Sequence, residues 1–352
     1  MSELFKKAQK QLEEELPFVI YSKPNSDKIT GIFQKNDALD SVKDYTETGF
    51  VFVSFKEDRA ILISENNSEI ITENSKKVAL ESSEINASFT EKAKLDFENL
   101  VQKGIDAIVS GKFKKLVLSR TEAVFLKESN PILLFQKLVS QYPTAFKYCF
   151  FHPKVGMWLG ATPEQLLKVE KDILKTVALA GTQVFNEGEI IWENKEKEEQ
   201  LFVTDFISDN LKGYVSEEKK SEPYTFRAGN IVHIKTDIEA KLNDKKELKK
   251  VVQTLHPTPA VCGLPKKEAK DFIFENEGYD REFYAGFLGE LNKDFAENLS
   301  QNSDLFVNLR CMKIEGDTAN LYIGCGITKD SDPEKEFIET VNKSLTIKKV
   351  IL

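Results

Sequence analysis

Three stretches of this 352-residue chain carry residue types at spacings that chemistry could use. The first is LHPTPAVCGLPKKEAKDFIFENEGYDREFYAG, from Leu255 to Gly286. Its prolines restrict the backbone around His256, Thr258 and Gly263, and its Asp280-Arg281 charge pair sits among aromatic rings. Taken plainly, it is a loop, a helix (KKEAKDFIFEN) opened by Pro265 and closed by a left-handed Gly278, then a second loop. The second stretch is an apolar strand, DLFVNLRCMKI, interrupted by Arg310 and followed by ANLYIGCGI. A buried guanidinium requires an anionic partner, and Gly324 and Gly326 let backbone approach something closely. The third is a helix, SDPEKEFIETVNKSL, with Ser331 as cap, Pro333 in the first turn and Glu334 closing a capping box. Helical spacing puts Glu336, Glu339 and Lys343 on one side, opposite Phe337, Ile338, Val341 and Leu345. The plain alternative is a solvent face whose Glu339–Lys343 pair contributes about 0.3 kcal/mol.

The elements around these stretches are readable from periodicity. A helix from Ser2 to about Leu16 precedes the strands PFVIYS, TGIFQK, GFVFVSF and AILIS, and no chemistry is visible before residue 90. TEKAKLDFENLVQKGIDAIVS reads as a helix, and KFKKLVLSRTEAVFL as a strand with Lys115, Val117 and Ser119 on one face. A lysine there is ordinarily a snorkelling edge residue. Asn130-Pro131 opens another helix, FKYCFF is a strand, and Thr162-Pro163 is a helix-start signal that Glu164 would complement. LLKVEKDILKTVALAGT is a hairpin turning at Lys171-Asp172, and Glu193 to Lys212 an acidic helix whose KEKEE start reads as solvated. NIVHIKTDIEA is a strand and DKKELKKVVQTL a helix.

The ordered set HPTPAV–G–P–A–EGYDR–YAG, with KLVLSR, GATPEQL and SDPEKEFIETVNK, resembles the signature of the chorismate-utilising enzymes: isochorismate, salicylate, anthranilate and aminodeoxychorismate synthases. The likeness runs from about Lys103 to the C-terminus. It implies an α+β fold of two large, mostly antiparallel sheets packed as a sandwich with helices outside, in a single domain spanning 1–352, with 1–90 as a strand-rich flank.

The resemblance also implies roles. Lys115, selected over Lys114 by alignment on VLSR, is the general base of the isochorismate and salicylate branches, and Glu164 is the general acid. Mg²⁺ falls to Glu198, Glu336 and Glu339. Anchoring on Leu201 selects Glu198, with Glu199 second because it stands where the family has histidine. Gly181, Thr182, His256, Thr258, Arg310, Tyr322, Gly324 and Lys343 become contacts to chorismate. In the implied reaction Lys115 takes a proton from water attacking C2, and Glu164 protonates the hydroxyl leaving C4. The base must then be partly neutral and the acid shifted upward. A lysine base favours water over ammonia as nucleophile, and Ala180 departs from the lysine of the aminodeoxychorismate branch. The reading is therefore an isochorismate synthase. Salicylate synthase is the alternative, an anthranilate synthase component less so, and a silent chorismate-binding protein stands outside the enzymes.

Bulk properties exclude several other classes. A net charge of −8 gives no electrostatic case for nucleic acid. No run of about 18 apolar residues or signal-peptide core appears, and four scattered cysteines suggest neither zinc nor disulfides. The expectation is a cytoplasmic monomer or weak dimer that acts on a small molecule without a glutamine amidotransferase subunit.

Overall fold

The computed structural model describes residues 2–76, 78, 89–185, 190–228 and 231–352; at Thr182, Val184, Lys195, Ala228 and Ile231 it describes the backbone only. Two nine-stranded sheets dominate, and every pairing between their strands is antiparallel. The first runs from the short edge Gly263–Leu264 through Lys115–Phe125, Thr318–Ile327, Cys311–Glu315, Gly156–Thr162 and Phe146–His152. It ends with Phe18–Ser22, Lys28–Gln34 and Ser68–Asn74. The second begins at Val215–Lys220 and continues through Ile231–Leu242, Ile173–Val184, Gln165–Glu170, Asn302–Val307 and Phe287–Leu291 to Gly49–Val53 and Ala60–Ser64, with Tyr224–Ala228 added beside Ile231–Leu242. Strands within residues 18–74 thus form one edge of each sheet.

Aromatic side chains fill the space between the sheets. Phe52 stacks on Phe283 with ring centroids 4.2 Å apart, and Phe146 on Phe306 at 4.4 Å. A second core lies on the outer face of the first sheet, where Leu4, Phe135, Leu138, Ile347 and Ile351 from three helices meet Leu159, Met312 and Ile323. Those helices are Glu3–Glu13, Pro131–Gln141 and Pro333–Ile351. Apolar burial on both sides of one sheet is the main favourable term for this architecture.

Four local expectations change. DLFVNLRCMKI is not one strand: Asn302–Val307 belongs to the second sheet and Cys311–Glu315 to the first. The chain crosses between them at Asn308–Arg310, because buried Asn308 accepts from the Tyr148 hydroxyl and donates to the Phe283 carbonyl. No helix starts at Thr162-Pro163. The Thr162 hydroxyl donates to the Val307 carbonyl at 2.6 Å and accepts from Glu164 N–H at 3.3 Å, so the residues make a strand-to-strand turn. The cap of the last helix is Asp332, which accepts from Lys335 N–H, while Ser331 serves Thr328 N–H. Ile338 lies exposed, since Phe337, Thr340, Val341 and Ser344 define the buried stripe.

Candidate active site

The strand Lys115–Phe125 turns Lys115, Val117 and Ser119 toward the gap between the sheets, while Leu116 and Leu118 pack on the helix Glu91–Val109 around Gly104. Lys115 reaches across to the helix Asn194–Leu211, which packs on the second sheet, and pairs with Glu199 at 2.5 Å. The neighbouring strand presents Gly324 and Gly326 on that same face. A Cβ on Gly324 would stand 2.6 Å from the Tyr284 hydroxyl and 2.9 Å from the Leu118 carbonyl, so only glycine fits. The Gly324 carbonyl accepts from Lys343 at 3.0 Å, and Lys343 also pairs with Glu339 at 2.5 Å.

Glu164 is the half-buried carboxylate on which the cations converge. Burial pushes its carboxyl up to about 7, against the pull of Lys115, Arg310 and Lys343. A small cavity of about 20 Å³ beside it is walled mainly by Leu166, Leu179, Val203 and Ile207, with Thr258 at its rim. This apolar wall is the physical source of the desolvation. Arg310 stands at the sheet crossing with φ +48° and makes no ion pair or hydrogen bond through its guanidinium among the described residues. Burial lowers its pKa even though Tyr284, Glu339 and Glu164 surround it. Gly181, at φ +70°, sits at a register break of its strand, where a Cβ would come 3.0 Å from that of Glu196.

The tertiary structure therefore gathers Lys115, Glu164, Gly181, Thr258, Arg310, Gly324, Glu336, Glu339 and Lys343 around one gap. Glu336 is half-buried, its carboxyl raised by burial and, secondarily, by the Glu339 charge. Three expectations are corrected. Glu198 is exposed: Val203, Ile207 and Leu211 set the buried face of its helix, and Glu198 is on the other side with Phe202. Leu201, the residue used for alignment, is itself 54% exposed. Glu199 faces the site instead, as does Glu196 one turn earlier, whose Oε2 is buried with no hydrogen-bond partner. His256 is fully buried against Phe287, at a centroid distance of 4.9 Å, with burial holding its pKa far below the usual imidazole range. It belongs to the core. Tyr322 is clamped between Trp158 and Tyr284, its hydroxyl turned to Glu282 at 3.4 Å, so it supports Tyr284 and leaves that phenol to meet Gly324. The Thr182 side chain lies outside the described residues.

Two residues went unnoticed in the sequence. Glu196 could have been found from its spacing of three to Glu199 and seven to Val203, which puts all three on one helix face. Tyr284 had no such signal, because its position depends on the turn that returns the chain to the first sheet.

The comparisons with known proteins bear on the family and the fold. A family described as chorismate binding enzyme matches residues 45–352, further toward the N-terminus than the resemblance read from motifs. The salicylate biosynthesis isochorismate synthase of Pseudomonas aeruginosa is 31% identical over 257 residues, 70% of this chain and 52% of that protein. The isochorismate synthase EntC of Escherichia coli is 27% identical over 262 residues, 71% of this chain and 66% of that protein. The matched part thus spans between about half and two-thirds of these relatives' lengths. The solved structure of MenF, the menaquinone-specific isochorismate synthase from Escherichia coli, superposes with a TM-score of 0.78 at 21% identity, covering 96% of this chain and 89% of that one. With a family match over most of its length and the same two-sheet fold, the chain belongs to the chorismate-binding enzymes.

Proposed function

We propose that this protein is an isochorismate synthase, converting chorismate to isochorismate. The observation that carries the reading is Arg310: a half-buried guanidinium without an anionic partner among the described residues, directed with Lys115 and Lys343 at a carboxyl held near 7. A guanidinium without a carboxylate partner, flanked by two lysines, fits a substrate with two carboxylates. Arg310 would take one of these, Lys343 and the backbone at Gly181 and Gly324 the polar remainder. Lys115 would accept a proton from the water whose oxygen bonds to C2. As both ring double bonds shift and the C4–O bond breaks, Glu164 would donate its proton to the departing hydroxyl. A carboxyl held near 7 keeps that proton available at neutral pH.

Mg²⁺ is part of this proposal. It is a hard cation that takes oxygen ligands, and the donors on hand are carboxylates: Glu199, Glu336 and Glu339, with the orphaned Oε2 of Glu196 close to the first. Among the described residues no three metal-ligating side chains already stand together as a cation site. Glu199 and Glu339 are each held by a lysine, so these pairs would open on binding, which would also free Lys115 and Lys343 for substrate. The ion, when bound, would neutralise a substrate carboxylate. All four cysteines are buried thiols, in keeping with the reducing cytoplasm we infer for it.

The test is incubation of purified protein with chorismate, with and without Mg²⁺, followed by chromatography of the products. Isochorismate formed only with Mg²⁺ is expected. Salicylate and pyruvate as main products would reassign it to the salicylate branch, and no turnover would remove the enzymatic reading.

A further inference from the structure

A cavity of about 360 Å³ lies away from the candidate active site. It lies at the opposite end of the strand Gln165–Glu170, where Val169 and Lys171 help to line it, whereas Glu164 stands just before the strand's first residue. At about 3.3 Å per residue, the seven residues from Glu164 to Lys171 separate the two by roughly 20 Å. A volume of this size suits a small organic ligand.

The lining has a definite chemistry. Lys171, Lys245, Lys246 and Lys293 line it from three separate segments of the chain, against one acidic residue, Glu65. Lys293 is neutralised by Glu65 at 2.5 Å, and Lys245 donates to the Gln301 side chain at 2.6 Å. Lys171 and Lys246 have no side-chain partner among the described residues. Two uncompensated ammonium groups on a protein of net charge −8 mark a local reversal of its field. Val169, Leu242, Leu248 and the buried ring of Tyr45 form an apolar part of the wall, beside the polar Thr46, Thr48, Asn292, Ser300 and Gln301.

We propose that this cavity is a second binding site, for a small organic anion with an apolar body such as an aromatic phosphate or carboxylate. The ammonium groups of Lys171 and Lys246 take the anionic end, and Val169, Leu242, Leu248 and Tyr45 take the body. The proposal is independent of the reaction assigned to the other site.

Phenyl phosphate and inorganic phosphate are suitable probes, titrated calorimetrically into the full chain. Wild type should bind phenyl phosphate, and at least tenfold more tightly than inorganic phosphate, because only the former uses the apolar wall. The double variant Lys171→Glu, Lys246→Glu should lose at least tenfold in affinity, with its melting temperature recorded as a check on folding. Arg310→Met should leave binding unchanged, since it lies in the other site. No measurable binding to wild type overturns the proposal. So does affinity that survives the lysine substitutions but disappears in Arg310→Met, which would assign the anion to the candidate active site.

Discussion

Two arginines inside this molecule are treated in opposite ways. Arg281 is 3% exposed and bonded at every nitrogen: Nε and Nη2 donate to Glu277 at 2.7 and 2.5 Å, Nη1 to the Val261 carbonyl, and Nη2 also to the Val117 carbonyl. Glu277 in turn accepts from the backbone and hydroxyl of Ser119. The EGYDR segment is thereby a clamp between the HPTPAV loop and the strand that carries Lys115. Arg310 is half-buried, and its guanidinium has no ion pair or hydrogen bond among the described residues. A buried charge bonded in this way specifies the fold, because each of its nitrogens names a neighbour that must be in place. An unsaturated one stores the cost of desolvation until a ligand supplies the missing charge.

Replacing each arginine should separate the two roles. Arg281→Leu leaves the Glu277 carboxylate buried without a cation and should cost about 4 kcal/mol of stability, read from urea denaturation midpoints. A variant as stable as wild type would show that the clamp is dispensable. Arg310→Met should change stability by under about 1 kcal/mol yet raise the KM for chorismate about a hundredfold, the loss of a charge-assisted pair. An unaltered KM would return Arg310 to the scaffold.

Glu164 sharpens the contrast through pH. Its carboxyl titrates at about 7 in the fold against 4.5 ordinarily. The folded state therefore holds the proton more tightly, and the associated stability is complete below about pH 4.5 and lost as pH rises through about 7. Glu164→Gln should remove this dependence and be about 1–2 kcal/mol more stable than wild type at pH 8, after allowance for solvent screening, while its kcat falls by about 10² to 10⁴. Parallel stability curves for the two proteins from pH 5 to 8 would contradict the buried-acid role. The smallest effect concerns the acidic helix. Glu199→Gln should weaken Mg²⁺ activation about tenfold, whereas Glu198→Gln should leave it unchanged, as an exposed carboxylate would. Equal effects would place the ligand register back at Glu198.

How far the sequence could be read varies with the range of the interaction. Strands such as Phe18–Ser22 and Ala60–Ser64 and the hairpin at Lys171-Asp172 follow from local alternation and turn chemistry, and they appear where expected. The short-range rules failed at Thr162-Pro163, where a hydroxyl that could cap a helix is claimed by the Val307 carbonyl, distant in sequence. At Glu198 the error came from treating Leu201 as a buried anchor, although Val203, Ile207 and Leu211 define the helix face. At His256 a motif position was taken for a contact, whereas its ring packs on Phe287 from a strand of the other sheet.

The amino-acid sequence by itself determined the element types, the family and the identities of the lysine, glutamates and arginine on which the proposed chemistry rests, because periodicity and motif order are properties of neighbouring residues. Only the tertiary structure decided which of those groups meet. Whether a charge is paired depends on two sheets approaching across a core, and that separates Arg281, answered by Glu277 four residues before it and by two distant carbonyls, from Arg310, which none of the described residues answers.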